Sequence, residues 1–174
     1  MRLEDLGPRI CILGPSGSGK STLADRIGRA TSTPVVHLDQ LRHRPGTHWE
    51  LRPDEEFLRL HAAAIAGERW VIEGNYSTVL PERLARATGV LLLDVSTALS
   101  LARYVRRTYT RSGRIGGLGV REHVTIAMVR WIVLHSRANR RRRLRWLDEV
   151  ELPKAALLGP RAIRAFSEGI RPPP

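Results

Sequence analysis

Arg9-Ile10-Cys11-Ile12-Leu13-Gly14-Pro15-Ser16-Gly17-Ser18-Gly19-Lys20-Ser21-Thr22 decides the architecture of this 174-residue chain. Its first five residues form an apolar run short enough for a buried strand. The next eight fit Gly-x4-Gly-Lys-Ser, and an amphipathic stretch follows, with Leu23, Ile27 and Ala30 on one helical face. Glycines in such a loop let consecutive backbone N–H groups turn toward a phosphate, and the helix start adds its positive end. Lys20 is expected to reach the β- and γ-phosphates, and the Ser21 hydroxyl to coordinate magnesium. Gly14, Pro15, Ser16, Gly17, Ser18, Gly19, Lys20, Ser21 and Thr22 are therefore the expected nucleotide-binding residues, with ATP and Mg2+ as ligands.

The pattern repeats outward from this stretch. Pro34 to Leu38 reads as a second strand ending at Asp39, and Gln40 to Arg52 as a polar loop. Pro53 opens a helix whose first turn holds Asp54, Glu55 and Glu56, where the helix dipole favours acids. Trp70-Val71-Ile72 reads as a third strand ending at Glu73, and Val90 to Leu93 as a fourth ending at Asp94. Helices are expected over about 80–87, 98–110 and 160–168, and one or two over 121–146. Val150-Glu151-Leu152 is the candidate fifth strand. Apolar strands alternating with helices predict an α/β fold, a parallel sheet covered on both faces. Its ligand belongs at the carboxyl ends of the strands, beside Asp39, Glu73 and Asp94.

Glu73 is the expected second magnesium ligand, with Ser21, because a strand-end carboxylate commonly holds that metal in loops of this kind. Asp94 is its rival; as a helix cap it has a plainer explanation. Asp39 is expected to position or deprotonate the hydroxyl of a phosphoryl acceptor. Trp49, Asn75 and Tyr76 are candidates to shape the acceptor pocket. The six histidines lack the spacing of a compact metal site.

The net charge of +12 is regional. Residues 100–145 hold thirteen arginines against one acid, Glu122, and the remainder is neutral. Arg103, Arg107, Arg111 and Arg114 recur near helical spacing and run into Gly113, Gly116, Gly117 and Gly119. Arginines on such a segment can close over a triphosphate, so Arg103 and Arg107 are candidate catalytic residues and Arg111 a candidate nucleotide contact. The run Arg140 to Arg143, with Arg145, spreads around a helix and reads as a solvated basic face, with nucleic-acid contact as the other reading. Only Lys20 and Lys154 are lysines. A compact ammonium suits the crowded loop better than a planar guanidinium.

One cysteine, Cys11, excludes an internal disulfide. No apolar stretch approaches the roughly 18 residues of a membrane span. A cytoplasmic location is expected, without a membrane partner. The chain reads as a single domain over 1–174, with a lid region at about 107–125 and a disordered tail at 171–174.

Gly14 to Thr22, His37-Leu38-Asp39, Pro45-Gly46 and above all Trp70-Val71-Ile72-Glu73-Gly74-Asn75-Tyr76-Ser77 resemble the DNA topology modulation proteins, small P-loop proteins related to adenylate kinases. Leu91-Leu92-Leu93-Asp94, the arginine-rich helix after it and the run from Trp131 to Arg145 are similar too, so the resemblance covers nearly the whole chain. It implies a three-layer P-loop nucleoside triphosphate hydrolase fold, nucleoside-monophosphate-kinase-like, with a five-stranded parallel sheet and a helical arginine-rich lid. It implies ATP binding and kinase activity. Glu73-Gly74 stands where adenylate kinases have the Asp-Gly of Asp-Gly-Phe-Pro-Arg. Here Asn75, Tyr76 and Ser77 replace Phe-Pro-Arg, so the phosphate-contacting arginine is missing; Arg42, Arg52 and Arg83 are the candidate substitutes. The leading expectation is an ATP-dependent kinase of a nucleotide or nucleoside. The alternatives are an ATP-binding protein acting on nucleic acid through the Arg103–Arg145 region, and a kinase of another small hydroxylated compound.

Overall fold

The computed structural model describes residues 1–110, 115–119 and 126–170, without the side chains of 107–110, 127–128 and 131–139. Arg111, the Arg107 side chain, much of the expected lid and the tail 171–174 lie outside these residues. Five strands form one parallel sheet: β1 Arg9–Leu13, β2 Val35–His37, β3 Trp70–Glu73, β4 Gly89–Asp94 and β5 Lys154–Leu158, in the order β2-β3-β1-β4-β5. The intervening helices are α1 Lys20–Thr31, α2 Leu38–Arg42, α3 Asp54–Ala66, α4 Leu80–Arg86, α5 Thr97–Thr110, α6 Ile126–Glu149 and α7 Gly159–Glu168.

Strand alternation divides the core in two. Cys11, Leu13, Trp70, Ile72, Val90 and Leu92 face one side, where they meet Phe57 and Ile65 of α3 and Leu147 of α6. Ile10, Ile12, Val71, Leu91 and Leu93 face the other, against Leu23, Ala24 and Ile27 of α1. Both faces are covered, so the central strands are apolar between their polar ends Arg9, Glu73 and Asp94, as suits a buried parallel sheet. This is the three-layer arrangement.

The register sets the site. Ile12 pairs with Glu73 and Leu13 with Leu92, so β1, β3 and β4 end side by side, and His37 of β2 pairs with Glu73. Gly14 makes the closest approach between strand ends. It has φ +143°, and a Cβ there would stand 2.2 Å from the Leu93 carbonyl oxygen. Only glycine satisfies both conditions.

Two expectations about the elements change. The fifth strand is Lys154–Leu158, not Val150–Leu152. Helix α6 runs on to Glu149, Val150 N–H closes onto Leu147 O, and the pairing with β4 begins beyond Pro153, whose carbonyl accepts from Val90 N–H. Lys-Ala-Ala-Leu-Leu has no β-branched residue, yet β4 and α7 hold it extended; packing overrides propensity. The expected polar loop after β2 is partly ordered. Asp39 lies in the first turn of α2, and His43 and Leu51 form an antiparallel bridge that closes the loop 44–50. Lys154 Nζ donates to the carbonyls of Asp148 and Val150 at 2.7 and 2.6 Å, tying the end of α6 to the start of β5.

Candidate functional site

The loop between β1 and α1 has the form a phosphate needs. Gly17 and Gly19 take φ +72° and +101°, and α1 begins at Lys20 without a side-chain cap. The first-turn amides are therefore not taken by a capping side chain, as suits an anion at a helix start. A Cβ placed on Gly19 would meet nothing within 4 Å, so the space before the helix is open. Lys20 Nζ folds back over the loop and donates to Pro15 O at 3.0 Å. These residues fit a triphosphate.

Asn75 fixes the start of the loop. Its amide oxygen accepts from Gly14 N–H at 3.0 Å, and its amide N–H donates to Gly14 O at 2.9 Å. A side-chain amide thus pairs with a backbone peptide as a neighbouring strand would, just where β1 leaves the sheet.

Ser21 Oγ donates to Glu73 Oε1 at 2.9 Å, and His37 Nδ1 lies 2.9 Å from the same oxygen. Glu73 is 4% exposed. Burial raises its carboxyl, but the hydrogen bond from His37, the charge of Lys20 and the bond from Ser21 outweigh this, and its pKa is lowered overall. A hydroxyl and an ionised carboxylate at contact distance are hard oxygen donors of the kind Mg2+ takes. Among the described residues no group of three or more His, Cys, Asp or Glu gathers to hold a metal. Mg2+ is commonly bound by one or two carboxylate or hydroxyl oxygens together with substrate phosphates and water.

The rival carboxylate goes elsewhere. Asp94 lies 2.7 Å from Arg140 Nε and 3.1 Å from Arg143 Nη2, both on α6. The arginine run is therefore not wholly a solvated face: two members turn onto the end of β4, while Arg141, Arg142 and Arg145 are exposed. The spacing of three residues puts Arg140 and Arg143 on one side of the helix.

On the other side of Glu73, Tyr76 O–H donates to Asp39 Oδ1 at 2.8 Å. Burial, then the charge of Asp39, pushes the phenol pKa upward, so the hydroxyl stays protonated and donates. The Tyr76 ring lies 5.5 Å from that of Phe57. His43 Nδ1 stands 3.1 Å from Asp39 O, and Trp49 sets its ring edge-on to His43 at 4.9 Å between centroids, with φ +63°. Tyr76 thus borders the Asp39 carboxylate, while Trp49 packs on His43, which is tied to the Asp39 backbone carbonyl.

The described part of the glycine-rich segment sits on this same loop. Gly46 N–H donates to Leu118 O at 2.7 Å, and Gln40 Nε2 to Gly117 O at 2.9 Å. Gly116, at φ +71°, packs so closely on His37 that a Cβ would fall 2.6 Å from its Nδ1. Arg103 reaches the P-loop from its carbonyl side: Nη1 donates to Gly17 O at 3.1 Å and Ser18 O at 3.3 Å. In this position its guanidinium braces the loop.

The three candidate replacements for the missing arginine are engaged. Arg42 pairs with Asp54 at 2.5 Å, and Arg52 with Glu56 at 2.6 Å. Arg83 is wholly buried and donates to Gly74 O at 3.0 Å.

Ser21, Glu73, Lys20 and the loop converge as the sequence expects, with Asp39 one strand further on. His37, which metal-ligand spacing does not single out, joins this group through Glu73. Its signal was its place at the end of a strand parallel to β3, which sets it beside Glu73. Asn75 was seen as a pocket residue; its tie to Gly14 depends on tertiary geometry no spacing rule shows.

No protein-family model and no curated protein sequence matches the chain. Solved structures do. A gluconokinase from Sinorhizobium meliloti 1021 superposes with a TM-score of 0.58 at 16% identity, over 98% of this chain and 93% of that one. A shikimate kinase from Acinetobacter baumannii, in complex with shikimate, gives 0.54 at 17% identity, over 94% and 90%. An unliganded sugar kinase from Janibacter sp. HTCC2649 gives 0.52 at 18% identity, over 92% and 88%. The chain has the fold of the P-loop kinases, over 92–98% of its length.

Proposed function

We propose that this chain is a cytoplasmic kinase that transfers the γ-phosphoryl group of ATP to a hydroxyl of a small acceptor. The observation that carries this is the order of groups along adjacent strand ends: the P-loop after β1, the Ser21–Glu73 pair at β3, and Asp39 beyond β2. Phosphoryl transfer needs donor, charge neutralisation and acceptor in line, and little else from the protein. The loop amides and Lys20 hold the phosphates. Ser21 and Glu73 hold Mg2+, which neutralises phosphate charge when bound. Asp39, oriented by Tyr76, accepts the proton of the attacking hydroxyl. Arg103 stiffens the loop from outside. Gly74-Asn75-Tyr76-Ser77 supports placing the chain with the DNA topology modulation proteins. A nucleoside, or another small hydroxylated compound, is the acceptor this arrangement serves.

The test is ATP consumption by the purified chain with Mg2+ against nucleosides, nucleoside monophosphates, sugars and sugar acids, with products separated by chromatography. Acceptor-dependent ADP formation is expected. Lys20→Met should lower it by about 100-fold or more, as loss of a transition-state charge contact does, while leaving the melting curve in place. Full activity in Lys20→Met would refute the assignment of the loop.

A further inference from the structure

We infer that His37 is a positioning residue for the metal site: its Nδ1–H holds Oε1 of Glu73 and, together with Ser21, sets that carboxylate for Mg2+. This rests on the kinase reading above and deepens it. Strand alternation brings the three groups together. Trp70 and Ile72 of β3 pack with α3, while Val71 packs with α1, so Glu73, next in the alternation, turns to the α1 side. His37 pairs with Glu73 in the parallel register, and Val35, two residues before it, packs on the α1 side, so His37 turns the same way. Ser21 meets them from the first turn of α1.

The geometry is that of a clamped carboxylate. Ser21 Oγ and His37 Nδ1 each stand 2.9 Å from Glu73 Oε1. The side chains of His37 and Glu73 are 11% and 5% exposed, so water competes little for the bond between them. An ionised carboxylate has no hydrogen to give, so the proton of that bond stands on Nδ1. The terminal torsion of a glutamate is broad, and a single donor leaves the carboxylate room to turn about it. A second donor, from a different element, fixes its plane. The imidazole is itself held: Gly116 lies so close that a Cβ there would fall 2.6 Å from Nδ1 and 2.9 Å from Cγ. Groups that orient a metal-binding side chain without touching the ion typically change metal affinity by about 10- to 100-fold when removed. His37 bonds to Glu73 and to no part of the P-loop, so its loss should spare nucleotide binding in the absence of metal.

The experiment compares the full chain with its His37→Asn, His37→Gln and Glu73→Gln variants. An asparagine amide nitrogen stands where Nδ1 does, bonded directly to Cγ; a glutamine amide nitrogen lies one bond further out. With the chain in excess over a non-hydrolysable ATP analogue, so that nearly all analogue is bound, Mn2+ is titrated in place of Mg2+. Free Mn2+ is read from its electron paramagnetic resonance signal. Calorimetry in EDTA measures the affinity for the analogue without metal. The inference expects His37→Gln to weaken Mn2+ binding by about tenfold or more and His37→Asn to stay within about threefold of the wild type. Both should bind the metal-free analogue as the wild type does. Unchanged Mn2+ affinity in His37→Gln overturns the inference. So does an equal loss in His37→Asn, or a matching loss of metal-free analogue binding, which marks general damage to the loop. Glu73→Gln separates the two readings. If it too leaves Mn2+ affinity unchanged, the metal assignment falls and the inference with it; if it weakens Mn2+ while His37→Gln does not, the inference alone falls.

Discussion

The hydroxyl of Tyr76 donates to one oxygen of the Asp39 carboxylate at 2.8 Å, tying the loop after β3 to the first turn of α2. Tyr76→Phe keeps the ring against Phe57 and removes only that bond. A lost hydrogen bond to a charged group corresponds to about 1.5–3 kcal/mol, so kcat should fall by roughly 10- to 100-fold while the KM for ATP holds. Asp39→Asn should cost more, about 100-fold or above. In the Asp39→Asn background, Tyr76→Phe should have little further effect, because Tyr76 acts through Asp39. Additive losses in this double-mutant cycle would show that Tyr76 works by another route.

Asn75 holds both polar groups of the Gly14 peptide. Asn75→Ala leaves that peptide without its partners at the point where the loop departs from β1. Two neutral hydrogen bonds are worth about 1–3 kcal/mol together. We expect ATP affinity to weaken by about tenfold, with the melting temperature down by a few degrees. An unaltered Kd for ATP by calorimetry would mean that the loop keeps its shape without this tie.

His61 is fully buried on α3, and burial, reinforced by the charge of Arg83, lowers its pKa below that of an ordinary histidine. The unfolded chain therefore takes up a proton near pH 6.5 that the folded chain refuses. Stability attributable to His61 is whole above that pH and is lost as pH falls below it, by at most about 1.4 kcal/mol per pH unit. Urea unfolding at pH 7.5 and 5.5 should show this loss in the wild type and a smaller one in His61→Leu. Equal losses in both would assign the acid sensitivity to other groups.

Much of this site could be read from the chain because its chemistry is local. Gly14 to Ser21 form a loop whose backbone geometry is written into consecutive residues, and an apolar run before Glu73 places that carboxylate at a strand end. What escaped depends on neighbours distant in sequence. His37 meets Glu73 only through the β2–β3 register, and Asp94 meets Arg140 and Arg143 only once α6 is laid across the end of β4. The fifth strand was misplaced because Val-Glu-Leu carries better strand propensity than Lys-Ala-Ala-Leu-Leu, while the partner strand and α7 decide between them. Asp39 stands inside α2, two residues past the end of β2, and that single turn has too few residues to leave a periodic signal.

The two lysines, each folded onto backbone carbonyls at opposite ends of the sheet, give the chain an unusual chemical simplicity. An amine-acylating reagent finds only Met1, Lys20 and Lys154 in all 174 residues. Lys20 sits in the loop where the proposed triphosphate would lie, and Lys154 opens the edge strand at the far end. Peptide mass mapping of a single acylation therefore becomes an occupancy gauge with its reference built in: whatever fills the loop protects one amine and leaves the other as the standard.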